Sequence, residues 1–501
     1  MKGAIAGITA GLGAINIPDK VGLDDTPVTK TGKTKILTVA WYVIGGLVTA
    51  AVFNRLKKLN VMKTFRSMLW LFSIAFIMAI LSCKTGSVNL FKAASPHEQY
   101  QKKLINVGLD KTAMGSAWLN AAVMSTQKAL NINIPYRENG YFAADKVPAT
   151  AYKFNATKGQ KLNMKLNKTP SGGALIYMDV WYSKDQTQKL IASADTLNNP
   201  IVFDIDQTGT YLIRLQPELL QNVAYELEIT TGPSLAFPIK SKNTNSIKSY
   251  WGDGRDNDAR KHEGVDIFGN FRTPVLAISE GKVTRVNENN LGGKVVWMRP
   301  KDKDYTLYYA HLDEQIAIEG QEVKIGDTLG LMGNTGNART TPTHLHFGIY
   351  TFNGAVNPLP FIDPVTKIPA AVTASGTKLN KTLRTTSAVK MFSSPQSKAT
   401  VLATLNAGTI VEANAATGNY YKAELPDGST GFIQSNKLVQ VTEPIKKLKI
   451  NLLQQKVYDK PDSLAAIKTT LNEGQTVSLL GTFGNYQLIG SAGTETGWII
   501  K

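Results

Sequence analysis

The tripeptide His344-Leu345-His346 restricts the fold of this chain more than any other stretch. The sequence has only five histidines, and four of them (His262, His311, His344 and His346) fall in the window 262–346. Strand geometry gives the His-x-His spacing its meaning. Successive side chains alternate faces, so His344 and His346 project to one side and Leu345 to the other. Phe347-Gly348-Ile349-Tyr350 continues the strand. Tyr305 to His311 reads as a second strand, with Tyr305, Leu307, Tyr309 and His311 on one face. If the two strands are neighbours, three imidazoles line one groove. Asp266, four residues after His262, adds a carboxylate.

Imidazole and carboxylate are the ligands of a zinc ion that stays reactive, with three protein ligands and one open position. His262, Asp266 and one of the paired histidines supply that set and leave two histidines over. An uncommitted imidazole titrates near neutrality and can shuttle protons. The His-Glu-x-x-His helix motif is absent, and the glycine in Lys261-His262-Glu263-Gly264-Val265-Asp266 suits a loop entering a strand. His97, outside the window, reads as an ordinary core or surface residue.

His-x(3)-Asp, Ala310-His311-Leu312 and His344-Leu345-His346-Phe347 together resemble the lysostaphin-type (LytM-like) zinc metalloendopeptidases of peptidoglycan. The flanks Trp251-Gly252-Asp253, Gly326-Asp327-Thr328-Leu329-Gly330 and Gly333-Asn334-Thr335-Gly336 agree. The resemblance covers roughly a quarter of the chain, one domain-sized block. It implies His262, Asp266 and His346 as zinc ligands and His311 and His344 as the catalytic pair. All five positions are filled, unlike in degenerate relatives that lost the metal. Apart from the resemblance, Tyr309 and Asp313 lie two residues either side of His311, near enough for one of them to orient a catalytic imidazole.

The remaining sequence divides around that block. Residues 36–53 form an uncharged apolar run between basic flanks, short for a spanning helix. Met62-Lys63-Thr64-Phe65-Arg66, an apolar run and Ile80-Leu81-Ser82-Cys83 describe a secretory signal that resembles a lipoprotein signal peptide, lipidated at Cys83. Residues 1–61 are then an extra membrane segment or precede the true start at Met62. With a single cysteine there is no intramolecular disulfide and no thiolate zinc site.

Residues 84–144 read as a tether and helical segment, and 145–235, with short alternating runs between Gly/Asn/Asp turns, as a β-sandwich. The peptidase-like block spans 236–365 and an Ala/Thr/Ser/Gly-rich linker 366–378. Beyond it lies an internal repeat. Leu402 to Val411 pairs with Ile467 to Val477, Asn419-Tyr420-Tyr421 with Asn485-Tyr486, and Gly431-Phe432-Ile433 with Gly497-Trp498-Ile499. The two units, 379–441 and 445–501, resemble bacterial SH3-like barrels, in which Tyr420, Tyr421, Tyr486 and Trp498 are core or ligand platforms. The fold expected is mainly β: a lysostaphin-like domain, an N-terminal sandwich and two C-terminal barrels, after N-terminal membrane or signal helices.

The formal charge of +18 suits an anionic partner. No nucleic-acid motif accompanies it, which favours an envelope polymer over nucleic acid. The function expected is zinc-dependent hydrolysis of peptide bonds in peptidoglycan stem peptides or cross-links by a membrane-anchored envelope lipoprotein. The alternatives are a non-catalytic wall-binding regulator that activates another hydrolase, and a structural bridge between membrane and wall.

Overall fold

The computed structural model describes residues 36, 39–48, 50–51 and 94–501, except 174, 186, 198–199, 241–243, 256 and 492–493. The chain divides into two compact units, Met1–Ala93 and Ala94–Lys501. In the first, residues 39–48 are helical. No helix among the described residues is long and apolar enough to cross a membrane. The signal-like run and Cys83 lie outside the described residues.

The second unit is mainly β. It opens with two helices, α1 (Pro96–Asn106) and α2 (Ala113–Gln127). Ser95 starts α1 with a capping box: its hydroxyl accepts from Glu98 N and Glu98 Oε2 accepts from Ser95 N. Gly108, at φ +77°, turns the chain between the helices. His97 is buried on α1, where its ring stacks on Trp118 of α2 (centroids 4.6 Å apart) and its Nε2 donates to Gln216 Oε1 at 2.6 Å. Trp118 Nε1 donates to Pro217 O at 2.9 Å, so both helices are moored to one strand end of the sandwich.

The sandwich has two faces. One sheet contains Thr150–Ala156, Gly209–Pro217, Ile176–Lys184 and Thr187–Asp195. The other contains β1 (Tyr136–Phe142), Val223–Pro233, Gln160–Thr169 and Ile201–Asp204. Tyr152, Leu162, Met164, Met178, Ile213, Leu227 and Ile229 fill the space between them. Strand β1 lies in the segment that the sequence reads as tether and helix. Its inward positions are Tyr136, Glu138, Gly140 and Phe142, and a carboxylate and a glycine among them conceal the alternation. The buried Glu138 accepts hydrogen bonds from the hydroxyls of Tyr136 (2.7 Å), Tyr152 (2.5 Å) and Tyr225 (2.9 Å).

The peptidase-like block is built on a larger antiparallel sheet. Its strands run β2 (Ile247–Ser249), β3 (Val265–Phe268), β7 (His344–Thr351), β6 (Tyr305–Gln315), β5 (Gly293–Pro300) and β4 (Gly281–Asn289) across the sheet. Val265, Ile267, Leu345, Phe347, Ile349, Leu307, Tyr309, Val296 and Met298 point to one face and form its core. The other face carries the histidines.

Strand β8 (Ile410–Thr417) of the first barrel pairs with β1, Asn139 opposite Ala416 and Gly140 opposite Ala415, so one sheet runs from sandwich into barrel. Lys422, buried beside it, donates to Thr150 Oγ1. The 366–378 stretch is held down as well: Lys367 bridges to Thr231, and Thr373 and Ala374 both donate to Gly418 O at 2.8 Å. Each repeat segment paired in the sequence falls on corresponding strands of the two barrels. Tyr421 is buried in the core of the first barrel, Tyr420 joins the core of the sandwich, and Trp498 and Tyr486 pack in a cluster with Ile410 of the first barrel, so all four are taken up by packing.

Burial first, and then the charge of Arg214, push the His97 pKa down to about 4, against the Gln216 hydrogen bond. In the unfolded chain the ring titrates near 6.5, so its buried neutral form stabilises fully above that pH and progressively less as the pH falls toward 4. The stability gap between wild type and His97→Leu, measured by denaturant titration, is expected to narrow by up to about 3 kcal/mol over that range. An unchanged gap would mean the ring is not held neutral.

Candidate metal centre

The pairing of β3 with β7 sets Asp266 directly opposite His346 and Phe268 opposite His344. Ala310 of β6 faces His346 from the other side. His262 enters from the loop before β3. Its backbone is fixed by the Trp251-Gly252-Asp253 turn: His262 N donates to Asp253 O (2.8 Å) and Gly252 N to His262 O (2.9 Å). Three donor atoms then converge. His262 Nε2 lies 2.9 Å from His346 Nδ1 and 3.1 Å from Asp266 Oδ1, and His346 Nδ1 lies 3.0 Å from Asp266 Oδ1.

These contacts fit a cation better than a set of hydrogen bonds. His262 Nδ1 lies 2.9 Å from Tyr250 O, and a carbonyl can only accept, so Nδ1 carries the proton there. The lone pair on Nε2 therefore confronts a carboxylate oxygen and a second ring nitrogen. One proton on His346 Nδ1 can serve a single neighbour at a time, whereas a cation satisfies all three donors. A tetrahedral zinc with bonds of 2.0–2.1 Å needs donor separations of about 3.3 Å, within a few tenths of an ångström of those present. The donor set, two imidazoles and a carboxylate, is also one that zinc takes.

The second oxygen of Asp266 is occupied. Arg255 Nη2 donates to Oδ2 at 2.9 Å and is steadied by Ser249 Oγ at 2.6 Å, which leaves Oδ1 aimed at the histidines. Burial alone raises the pKa of Asp266, but the His262 and His346 rings at its Oδ1 outweigh burial and hold the carboxyl far below its ordinary range. Burial pulls the His346 pKa down, and Asp266 opposes it. Gly264 leaves room for this arrangement. A Cβ there would lie 2.6 Å from both His346 Cε1 and Phe347 O.

His311 reaches the site by breaking the strand rule. Strict alternation places it with Tyr305, Leu307 and Tyr309, which point into the core. Instead His311 has φ +62°, and the β5–β6 register slips by one residue between the Lys294–Leu312 and Val296–Tyr309 pairs. The bulge turns the ring to the opposite face, with its centroid 4.9 Å from His344 and 5.8 Å from His346. A left-handed non-glycine residue costs roughly 1–2 kcal/mol. Thr335 holds it there: its carbonyl lies 2.9 Å from His311 Nδ1, and its hydroxyl donates to Leu312 O (2.8 Å) and accepts from Lys294 N (3.0 Å). Burial, followed by the charges of His344 and His346, lowers the His311 pKa to about 4.

His344 Nδ1 lies 2.8 Å from Pro342 O, and its ring stacks on Phe268 with centroids 5.0 Å apart. Backbone carbonyls therefore orient both remaining imidazoles. Tyr309 and Asp313, the orienting groups suggested by the sequence, do not: Tyr309 is in the core, and Asp313 pairs with Arg272. Arg255 escaped sequence reasoning, since nothing in Gly254-Arg255 marks it beyond its nearness to the Trp251-Gly252-Asp253 turn.

The converging donors form a candidate metal-binding site on the sheet. Residues 260–358 match the model of Peptidase family M23 and residues 386–439 that of a bacterial SH3 domain. Over 127 residues the chain is 35% identical to the L-Ala--D-Glu endopeptidase of Bacillus subtilis (strain 168), covering 24% of this chain and 39% of that protein. It is 35% identical over 102 residues to the murein hydrolase activator NlpD of Escherichia coli (strain K12), covering 20% of this chain and 26% of NlpD. Among solved structures, the catalytic domain of lysostaphin from Staphylococcus simulans is 32% identical, covering 23% of this chain and 92% of that one, with a TM-score of 0.22. The chain spans well under half the length of these two curated relatives. Residues 260–358 thus form a peptidase family M23 domain, and residues 386–439 a bacterial SH3 domain.

Two substitutions test the supports of the donor triangle. Gly264→Ala is expected to displace His346 and lose bound zinc, read by metal analysis of the purified protein, while the circular dichroism spectrum is kept. Arg255→Ala is expected to weaken zinc affinity by about 10–100-fold in chelator competition.

Proposed function

We propose that this chain is a zinc-dependent endopeptidase that cleaves peptide bonds in peptidoglycan stem peptides or cross-links. The observation that carries the reading is the triangle of His262 Nε2, Asp266 Oδ1 and His346 Nδ1, with edges of 2.9–3.1 Å, beside two further imidazoles that are not part of it. The similarity to an endopeptidase named for the L-Ala--D-Glu bond and to lysostaphin supports the substrate class.

In this reading His262, Asp266 and His346 hold the ion, and Arg255 keeps one Asp266 oxygen turned toward it. When bound, zinc supplies Lewis acidity, acidifying a water near neutral pH and polarising the carbonyl it faces. The chain's own residues do the rest. His311 and His344 have Nδ1 tied to carbonyls, so each presents Nε2 as the atom that gains or gives a proton. One ring takes the proton of the attacking water on its Nε2, and the other, when it carries a proton on Nε2 as well as on Nδ1, donates a hydrogen bond to the oxyanion that develops on the carbonyl. Phe268 stacks on His344 and limits its rotation.

Lipidation at Cys83 tethers the enzyme to the cell envelope in this proposal, and the excess of basic residues suits the anionic wall. The resemblance to NlpD favours a second reading, a wall-bound activator of another hydrolase. The complete set of five site residues argues for the enzyme.

Purified peptidoglycan is to be digested with and without chelator and the released peptides identified by mass spectrometry. His344→Ala is expected to keep zinc and lose at least a hundredfold in cleavage. His346→Ala is expected to lose zinc and activity together. Full zinc content and undiminished cleavage in both variants would exclude the peptidase mechanism.

A further inference from the structure

The sheet face that carries the donor triangle continues past it. Tyr308 of β6 pairs with Gly348 of β7 and with Trp297 of β5, all on the side away from the core. The Tyr308 ring lies 5.9 Å from His346 and 4.2 Å from Trp297. Tyr350 closes the group, 5.8 Å from Tyr308 and 5.5 Å from Trp297. Gly348, between His346 and Tyr350, adds no side chain to the face. An unbroken aromatic floor therefore leads away from the metal centre.

The floor opens into a depression of about 570 Å³, lined by Trp297, Tyr350, Phe352, Arg285 and Arg299 among others. Phe352 is fully exposed at 101%. Among the described residues neither arginine is within ion-pair distance of a carboxylate, and the hydrogen bond found for Arg299 runs from Nε to Lys303 O at 3.4 Å. Asp304 is the one carboxylate in the lining, which leaves the depression net positive. At the other end of the face, Lys248 Nζ sits 5.6 Å over Phe268, the ring that stacks on His344. Both approaches to the centre thus carry cations next to aromatic surface.

We propose that Arg285 and Arg299 form a specificity subsite that takes a free carboxylate of an acidic peptide whose chain crosses the Tyr308–Trp297 floor, so that the site selects carboxylate-bearing stem peptides over their carboxamide forms. The proposal rests on the peptidase reading above and adds to it the charge of the preferred substrate. A guanidinium matches a carboxylate with two parallel hydrogen bonds, a geometry an uncharged amide cannot reproduce. The ring floor supplies the apolar contact that holds the peptide flat.

The test separates this subsite from catalysis. Binding is measured by calorimetry on the full chain carrying His344→Ala, so that peptide is not consumed. The probes are a synthetic stem tetrapeptide with free carboxylates and the same peptide with those groups amidated. The acid form is expected to bind about tenfold more tightly, the scale of one charged hydrogen bond. The preference is expected to shrink in high salt. Adding Arg285→Gln and Arg299→Gln should bring the two affinities together, and the corresponding lysine pair should retain part of the difference. Both arginines are exposed, and an unchanged melting curve verifies the fold. Equal affinities in the parent, absence of binding, or a preference that survives the glutamine pair overturns the subsite. Failure of the wild type to cleave peptidoglycan bears instead on the peptidase reading.

Discussion

The register between Val265–Phe268 and His344–Thr351 is the constraint on which the candidate metal centre depends. It brings an aspartate and a histidine from distant parts of the chain face to face. It is fixed from the opposite side of the sheet, where Val265, Ile267, Leu345, Phe347 and Ile349 are all fully buried. Each such side chain contributes about 1.5–3 kcal/mol by leaving water. A slip of one residue would exchange the faces, putting charged donors in the core and aliphatic groups in the groove. The apolar side chains thus do as much to position the donors as the donors do themselves.

The fifth member of the cluster obeys a different rule. His311 would point into the core if its strand were regular, and a bulge with one left-handed residue turns it around. The strain is local, and the contacts that hold it are local too. Thr335 bridges Lys294 and Leu312 beside the bulge, and its carbonyl accepts a hydrogen bond from the His311 ring. Neutral backbone carbonyls orient both proposed catalytic imidazoles, so no second carboxylate is needed beside Asp266.

What the sequence reveals of this protein follows from which interactions have a period. The alternation at His344-Leu345-His346 and at Tyr225 to Ile229 is visible because core and solvent faces differ in polarity. The barrel repeat is visible for the same reason, as matched strands keep matched aromatics. Strand β1 is hidden because Glu138 takes a core position and is satisfied there by Tyr136 on the same strand and by Tyr152 and Tyr225 from elsewhere in the chain. The kink at His311 leaves no trace in residue type. Arg255 and the carbonyls of Tyr250, Thr335 and Pro342 act through tertiary position alone. Motif spacing therefore points to the five candidate site residues, while the groups that aim them emerge only in three dimensions.

The stitching of the first barrel to the sandwich has its own consequence. Ladder bonds between Asn139–Gly140 and Ala415–Ala416, the buried Lys422 and the anchored stretch 366–378 deny this barrel the free swing of a tethered module. Lys303 of the peptidase block in turn donates to Asp204 of the sandwich at 2.9 Å, so a ligand held by the barrel would meet the histidine-lined cleft at an angle chosen during folding. Under the proposed function such a molecule works like a fixed caliper, whose jaw addresses only bonds lying at a set distance and pitch from its foothold.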